Sequence, residues 1–440
     1  MNILLTRPKP HKKTINLQSF MICEPLELEY CASLLKAQGH SVTIVDLLLE
    51  KKPLKWFLEK QNFDLVGITG YICHVGIIKD YAKVIKKHNQ KIITIVGGVH
   101  AEVVPNDFEC EYIDFVLSKN GLDGIIDIAA GKEYNADACA IKKEFDYPFP
   151  DREITKKYRH QYNYIFHEKC ATIKTSFGCS YACEFCFCAK VSPYFTRELS
   201  SVIDELKTIK EKNVFIVDDN FLHNKARLEE FCSLLDKHNI KKNFIAFGRA
   251  DFICENEDII HLLKSHGFEA IFVGLESFRN SELKDLNKKL SVEQNIKAIT
   301  TLTKCGLKCY AGIIVGHDWG KEDFDNLIKY LNSFGNIFVN IQPLTPMPGT
   351  VTYEKLKDLI VVPRHRYELW DMAHLLIKPT KMSARRFYYH MLRAYLKVLT
   401  NKQRRKQLKD EFGKKTYRRV KSGATKIFFQ YLWLIIKGRA

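Results

Sequence analysis

Apolar residues recur along this chain in two alternating rhythms, short runs suited to strands and longer stretches at helical spacing. In the first third the short runs fall at 2–6, 41–46, 65–69, 91–96 and 112–117 and predict five strands. Helical spacing fills gaps between them, at 25–36, closed by Gly39, and at 75–88. Strands alternating with helices over short links predict an α/β domain built on a doubly wound parallel sheet. Such sheets bind ligands in the crevice at the strand carboxyl ends. Residues 145–164 carry Pro148 and Pro150, several charges and no sustained period, and read as an interdomain linker.

The alternation then resumes. Strand-like runs at 171–176, 214–217, 243–248, 270–274, 309–315 and 336–341 are separated by helix-like segments. Polar residues cluster just after these runs, where a parallel barrel puts its chemistry. Beyond 352 the pattern turns helical, at 370–379 and 382–399. There Tyr388, Tyr389, Met391, Leu392, Tyr395 and Leu396 form a stripe that reads as core packing. The chain thus divides into 1–145, a linker at 146–164, a barrel at 165–352 and a helical region at 353–440.

Charge alters this picture at one end only. Of the net +17, residues 401–440 supply 13 − 2 = +11, so the body is close to balanced. Within that tail, 426–437 is strongly apolar and flanked by cations. Two readings stand: a helix lying at an anionic membrane interface through 424–440, or a terminal helix docked on the barrel. No recognisable module accompanies the charge, which argues against nucleic acid. No run reaches the ~18–20 apolar residues that cross a bilayer. The 14 dispersed cysteines, with no apolar leader before them, point to a reducing cytoplasm, with peripheral contact at the inner membrane face as the tail's alternative.

The candidate chemistry centres on Cys179, Cys183 and Cys186, spaced C-x3-C-x2-C after the first barrel strand. Thiolates suit soft metals and iron–sulfur clusters. Three ligands on a four-iron cubane leave one iron open to a small molecule. A zinc knuckle is the rival reading, with Cys188 or Cys170 as a fourth ligand. Asp218 and Asp219 follow the second barrel strand, placed to accept hydrogen bonds from an ammonium group. Arg249 follows the third and could clamp a carboxylate, or pair with Asp251. Glu276 and Ser277 follow the fourth, and the Pro346-Met347-Pro348-Gly349-Thr350 turn closes the sixth. His40 and His100 read as surface or loop residues.

The cysteine spacing, with the aromatic Phe185 before the last thiol, resembles the signature of the radical S-adenosylmethionine superfamily. The six strands resemble that family's partial (β/α)6 barrel. The earlier domain is similar to the cobalamin-binding domain that precedes one class of it. The pieces that match are Pro25-Leu26-x-Leu28, Gly39-His40-x-Val42-x-Ile44-x-Asp46, Asp64-Leu65-Val66-Gly67-Ile68 and Val96-Gly97-Gly98-Val99-His100. The resemblance implies a [4Fe-4S] cluster on the three cysteines, S-adenosylmethionine on its open iron, and an electron donor such as flavodoxin or ferredoxin. It implies that Glu276 accepts ribose hydroxyls with Ser277 supporting it. It also implies cobalamin held His-off, since no D-x-H-x-x-G motif occurs, with Thr69, Gly97 and Gly98 at the strand ends beside it. The activity implied is C-methylation at an unactivated carbon of a lipid or natural-product intermediate, with oxidation, cyclisation or rearrangement as the alternative within the class and a non-catalytic iron–sulfur or membrane-associated module as the alternative outside it.

Overall fold

The computed structural model describes residues 1–15, 17–136, 144–335, 337–399 and 402–437. Five parallel strands, β1 (Asn2–Arg7), β2 (Ser41–Asp46), β3 (Leu65–Thr69), β4 (Ile93–Gly97) and β5 (Phe115–Val116), make the first sheet. Their order is β2-β1-β3-β4-β5. Side chains alternate across it: Ile3 and Leu5 pack with Leu28, Ala32 and Leu35 on one face. Leu4, Val66 and Ile68 pack with Val75, Ile78 and Ile85 on the other. Both faces being covered explains why these strands read as near-continuous apolar runs. The strand order reverses between β1 and β3, and the crevice of a doubly wound sheet opens at such a reversal.

The second sheet contains β6 (Cys170–Ile173), β7 (Asn213–Ile216), β8 (Asn243–Gly248), β9 (Phe268–Glu276), β10 (Lys308–Val315) and β11 (Ile337–Pro343). They pair in parallel and in chain order, from β6 at one edge to β11 at the other. Inward side chains Cys170, Phe215, Ile245, Ala270 and Tyr310 fill the barrel interior, joined by Val420 and Phe412 from the C-terminal helix.

That helix, Lys402–Lys437, breaks at Gly413, where φ is 79°. Its residues reach both edges of the open sheet. Thr416 and Arg419 bond to Glu168, just before β6. Phe412 stacks on Phe166 at 4.8 Å, and Phe166 packs in turn on Phe338 of β11. Further along, Tyr431 and Leu434 are buried against the helix Ala384–Leu399, where Tyr431 meets Tyr388 and Tyr395. The tail is therefore docked on the barrel along one face. No helix among the described residues is long and apolar enough to cross a membrane.

The stretch read as a linker is anchored at several points, and one expected helix is missing. Residues 151–162, within the stretch read as a linker, form a strap anchored by the buried Arg152, Thr155, Tyr158 and Tyr162: Arg152 donates to the Thr172 carbonyl (2.6 Å) and to Glu205 (2.9 Å). Arg159 bridges Glu24 and Glu211, and the Tyr162 hydroxyl reaches Asp46 of β2. Breaking any of these buried pairs would strand a charge, which is strongly unfavourable. The helix expected at 370–379 is absent. Asp371 accepts from the backbone N–H groups of Ala373 and His374 at 3.0 Å, and Met372 sits at φ 61°, a left-handed conformation that a right-handed helix does not pass through.

Candidate functional site

The cysteine loop leaves β6 under tight restraint. Asp218, buried beyond the end of β7, accepts from the Thr175 N–H (2.6 Å), the Thr175 hydroxyl (2.5 Å) and the Ser176 hydroxyl (2.8 Å). Ser176–Phe177 then pairs antiparallel with Phe195–Thr196, and Phe177 stacks on Phe195 at 4.8 Å. Gly178 follows at φ 64°, and a Cβ there would lie 2.3 Å from the Ser192 carbonyl oxygen, so glycine alone fits. On the far side the Glu184 N–H bonds to the Leu286 carbonyl, and Thr352 N–H to the Glu184 carbonyl.

Cys179, Cys183 and Cys186 lie half-buried on this pinned loop, near enough for each to oppose ionisation of another. Burial pushes Cys179 and Cys183 up, whereas a hydrogen bond with Cys188 brings Cys186 down to about 7. Among the described residues no three His, Cys, Asp or Glu side chains gather as around a single ion. A cubane spreads its ligands over separate corners, and three neighbouring thiols on a restrained, partly open loop fit it. Cys170 is buried in the barrel interior at the far end of β6 and is unavailable as a fourth ligand.

Cations and aromatics surround the thiols. Arg249 lies over the Tyr181 ring at 3.6 Å and points Nη1 at Cys183 Sγ, 3.8 Å away, while also pairing with Asp251. Lys288 passes 5.7 Å from the Phe185 ring and donates to Glu276 Oε1 at 2.8 Å. Glu276 ends β9 with φ 59°, where the pairing with β10 shifts register. An L-residue held in that conformation is strained, and such strain concentrates at functional sites.

The fold gives the residues after β7 and β9 separate surroundings. The adjacent acids part company. Asp219 is exposed, stands 3.7 Å from Lys174 and acts electrostatically on Cys179 and Cys186. Asp218 faces into the protein, its oxygens accepting from Thr175 and Ser176, beside a small pocket that it lines with Tyr194 and Arg227. Ser277 bonds to Glu282 and the Arg279 N–H and so supports the turn after β9, not Glu276. Asp218→Asn is expected to cost roughly 1–3 kcal/mol of stability and to lower cluster content, because one oxygen accepting from two hydroxyls becomes a donor or is lost to them. Asp219→Asn should leave unfolding unchanged. Thermal unfolding and iron analysis of both variants check this.

The first sheet contributes a second rim. Thr69 pairs with Gly97 across β3 and β4, and a Cβ on Gly98 (φ 100°) would fall 2.6 Å from Thr69 Oγ1. These three residues therefore meet at one point on the strand ends. Beyond β3, Tyr71-Ile72-Cys73-His74 turns into a helix; the His74 ring accepts from the Tyr71 N–H at 3.1 Å, and burial lowers its pKa to about 4. His100, read as a surface or loop residue, is buried in the short helix Val99–Val103 and pairs with Asp107 at 2.7 Å.

Loops from both rims line one cavity of about 280 Å³. Ile15 follows β1, Tyr71 and Ile72 follow β3, Val99 and Val103 follow β4, Phe187 comes from the cysteine loop, Met347 follows β11, and Trp370 belongs to the C-terminal region. Val103 presses on Gly349, so the turn after β11 seats the two domains together. The sequence reading had none of Lys288, Tyr181, Phe187, Tyr71 or Trp370. Tyr181 and Phe187, as aromatics inside the cysteine loop, were the findable ones; Lys288 carries no local signal.

The profile of the Radical SAM superfamily matches residues 173–331, and that of the B12 binding domain matches 12–124. The hopanoid C-3 methylase of Methylococcus capsulatus is 26% identical over 89% of this chain and 79% of its own. An anaerobic magnesium-protoporphyrin IX monomethyl ester cyclase of Rubrivivax gelatinosus is 24% identical over 86% of this chain and 74% of its own. Among solved structures, the cobalamin-dependent S-adenosylmethionine radical enzyme OxsB with aqua-cobalamin and S-adenosylmethionine bound superposes with a TM-score of 0.72. It is 16% identical, covering 95% of this chain and 71% of that one. The radical S-adenosylmethionine methyltransferase TsrM from Kitasatospora setae gives 0.62 at 15% identity, covering 82% and 79%. Fold and matches together define a B12-binding domain joined to a radical S-adenosylmethionine domain. The chain is a radical S-adenosylmethionine enzyme that carries a B12-binding domain, and a [4Fe-4S] cluster, S-adenosylmethionine and cobalamin are its cofactors.

Proposed function

We propose that this enzyme transfers a methyl group to an unactivated carbon of an apolar small molecule, a lipid or natural-product intermediate. The cavity between the two rims carries this reading, because its walls are mostly apolar, with Gln18, His74, His100 and Asp371 among the few polar side chains, and its size suits a compact hydrophobic molecule. When bound, the cluster and S-adenosylmethionine supply a 5′-deoxyadenosyl radical and cobalamin supplies a methyl group.

The chain's own residues hold and shield. In this reading Cys179, Cys183 and Cys186 hold the cluster, with Phe185 and the Arg249–Tyr181 stack covering it. Lys288 and Arg249 offset negative charge there, and the Arg249 guanidinium would clamp the carboxylate of S-adenosylmethionine. Glu276 accepts ribose hydroxyls with Lys288 fixing its carboxylate, and Asp219 takes the ammonium. Thr69, Gly97 and Gly98 let the corrinoid approach the backbone of the first rim. Residues 1–145 present cobalamin, 165–352 form the barrel and 353–440 cover it, with 146–164 strapping the two together. Phe187, Met347 and Trp370 exclude water, which would quench a carbon radical. The electron comes from a small donor such as flavodoxin or ferredoxin, and the tail contacts the membrane peripherally from the cytoplasmic side.

A second reading, ring formation without methyl transfer, draws on the cyclase among the relatives. Anaerobic turnover with lipid extracts and methyl-labelled S-adenosylmethionine separates them. Methylation requires a product heavier by one CH2 that carries the label; label-free products throughout would overturn it.

A further inference from the structure

The C-terminal helix carries two faces. Its inner face, with Thr416, Val420, Tyr431 and Leu434, is buried on the barrel. The outer face exposes Lys415, Arg418, Ser422, Thr425, Phe429, Trp433 and Ile436, three or four residues apart, as one stripe. Lys421 and Lys426 flank its basic half and Lys437 its apolar end, all exposed. Phe429, Trp433 and Ile436 are 60%, 53% and 63% exposed, unusual for such side chains placed together. Between 412 and 437 there are seven Lys or Arg and no acid. The two readings of the tail are thus not rivals, since docking uses one face and leaves the other open.

We propose that this outer stripe is a docking face for an anionic lipid bilayer, with Phe429, Trp433 and Ile436 entering the headgroup boundary and Arg418, Lys421 and Lys426 lying on the phosphates. Charge selects this occupant: an acid-free cationic helix beside exposed aromatics complements an anionic surface. A second copy of the same chain would bring cation against cation. The proposal rests on the apolar-substrate reading and deepens it. Gln430, next to Phe429, donates to the Thr14 carbonyl at 3.2 Å, and Thr14 lines the cavity. A helix is ~10–12 Å across, so a bilayer on the outer face lies about one helix diameter from the cavity wall. A membrane-dissolved apolar substrate would have a short path into it.

The test is co-sedimentation of the full-length holoenzyme with vesicles of phosphatidylcholine alone or mixed with phosphatidylglycerol. Phe429→Ser/Trp433→Ser/Ile436→Ser and Arg418→Gln/Lys421→Gln/Lys426→Gln are compared with the parent. The parent should pellet with the mixed vesicles, and each triple variant should bind about tenfold or more weakly, at unchanged unfolding temperature and iron content. Added salt should release the parent. Equal pelleting with phosphatidylcholine alone, parent-like pelleting of both variants, or no pelleting of the parent would each overturn the proposal. So would a parent dimer, by light scattering, that the apolar variant makes monomeric without vesicles. Vesicle binding without any methylated product would fail the methylation reading and leave the docking face standing.

Discussion

Replacing Cys183 by alanine is expected to strip the anaerobically purified enzyme of iron, from about four atoms per chain toward none. 5′-Deoxyadenosine formation should fall to the level of the buffer blank. Cys179→Ala and Cys186→Ala should behave alike, since three ligands leave none to spare. Cys188→Ser and Cys170→Ser are the informative controls. A four-coordinate zinc site would need one of them as its fourth ligand, whereas the cluster reading expects both variants to keep iron and sulfide. Cys170 is buried in the barrel interior, so its serine variant should lose some stability without losing metal. Iron and sulfide analysis with a nucleoside assay on the five variants decides the matter. Retention of iron and of adenosyl cleavage in any triad variant would remove the basis of the mechanism.

The strands and the thiol loop were legible in the sequence because both depend on local pattern. Apolar runs covered on two faces write themselves as Leu65-Val66-Gly67-Ile68, and ligand spacing is a property of one short loop. What tertiary context decides was not legible. Asp218 and Asp219 are neighbours of identical chemistry, yet one is buried under Thr175 and Ser176 and the other is exposed beside the thiols. Nothing local distinguishes them. Lys288 lies twelve residues beyond Glu276, across a helix and turns, and only the fold brings it back to that carboxylate. At 370–379 the helical spacing was real, but Met372 takes a left-handed φ that stops a helix there. The tail shows the opposite case. Its spacing records both faces of the C-terminal helix, and deciding between packing and exposure required the barrel edge it covers.

Lys288→Met is expected to destabilise the enzyme by about 3–5 kcal/mol, the cost of leaving one half of a buried ion pair uncompensated. Both partners are shielded, with side-chain exposures of 8% for Lys288 and 9% for Glu276, so solvent does little to soften the loss. Glu276→Gln/Lys288→Met should recover most of that stability, because a neutral amide beside an apolar chain carries no stranded charge. If the pair served the fold alone, the double variant would regain adenosyl cleavage along with its unfolding temperature. The site reading expects otherwise. Glu276 is held in a left-handed conformation at the strand end, a strained placement for an L-residue that fold stability alone does not explain. The double variant should therefore unfold near the parent temperature, retain its iron and bind S-adenosylmethionine weakly, since no carboxylate remains to accept the ribose hydroxyls. Measuring unfolding, iron and nucleotide binding on both variants separates the two roles. Parent-like binding in the double variant would reduce Glu276 to a structural partner of Lys288.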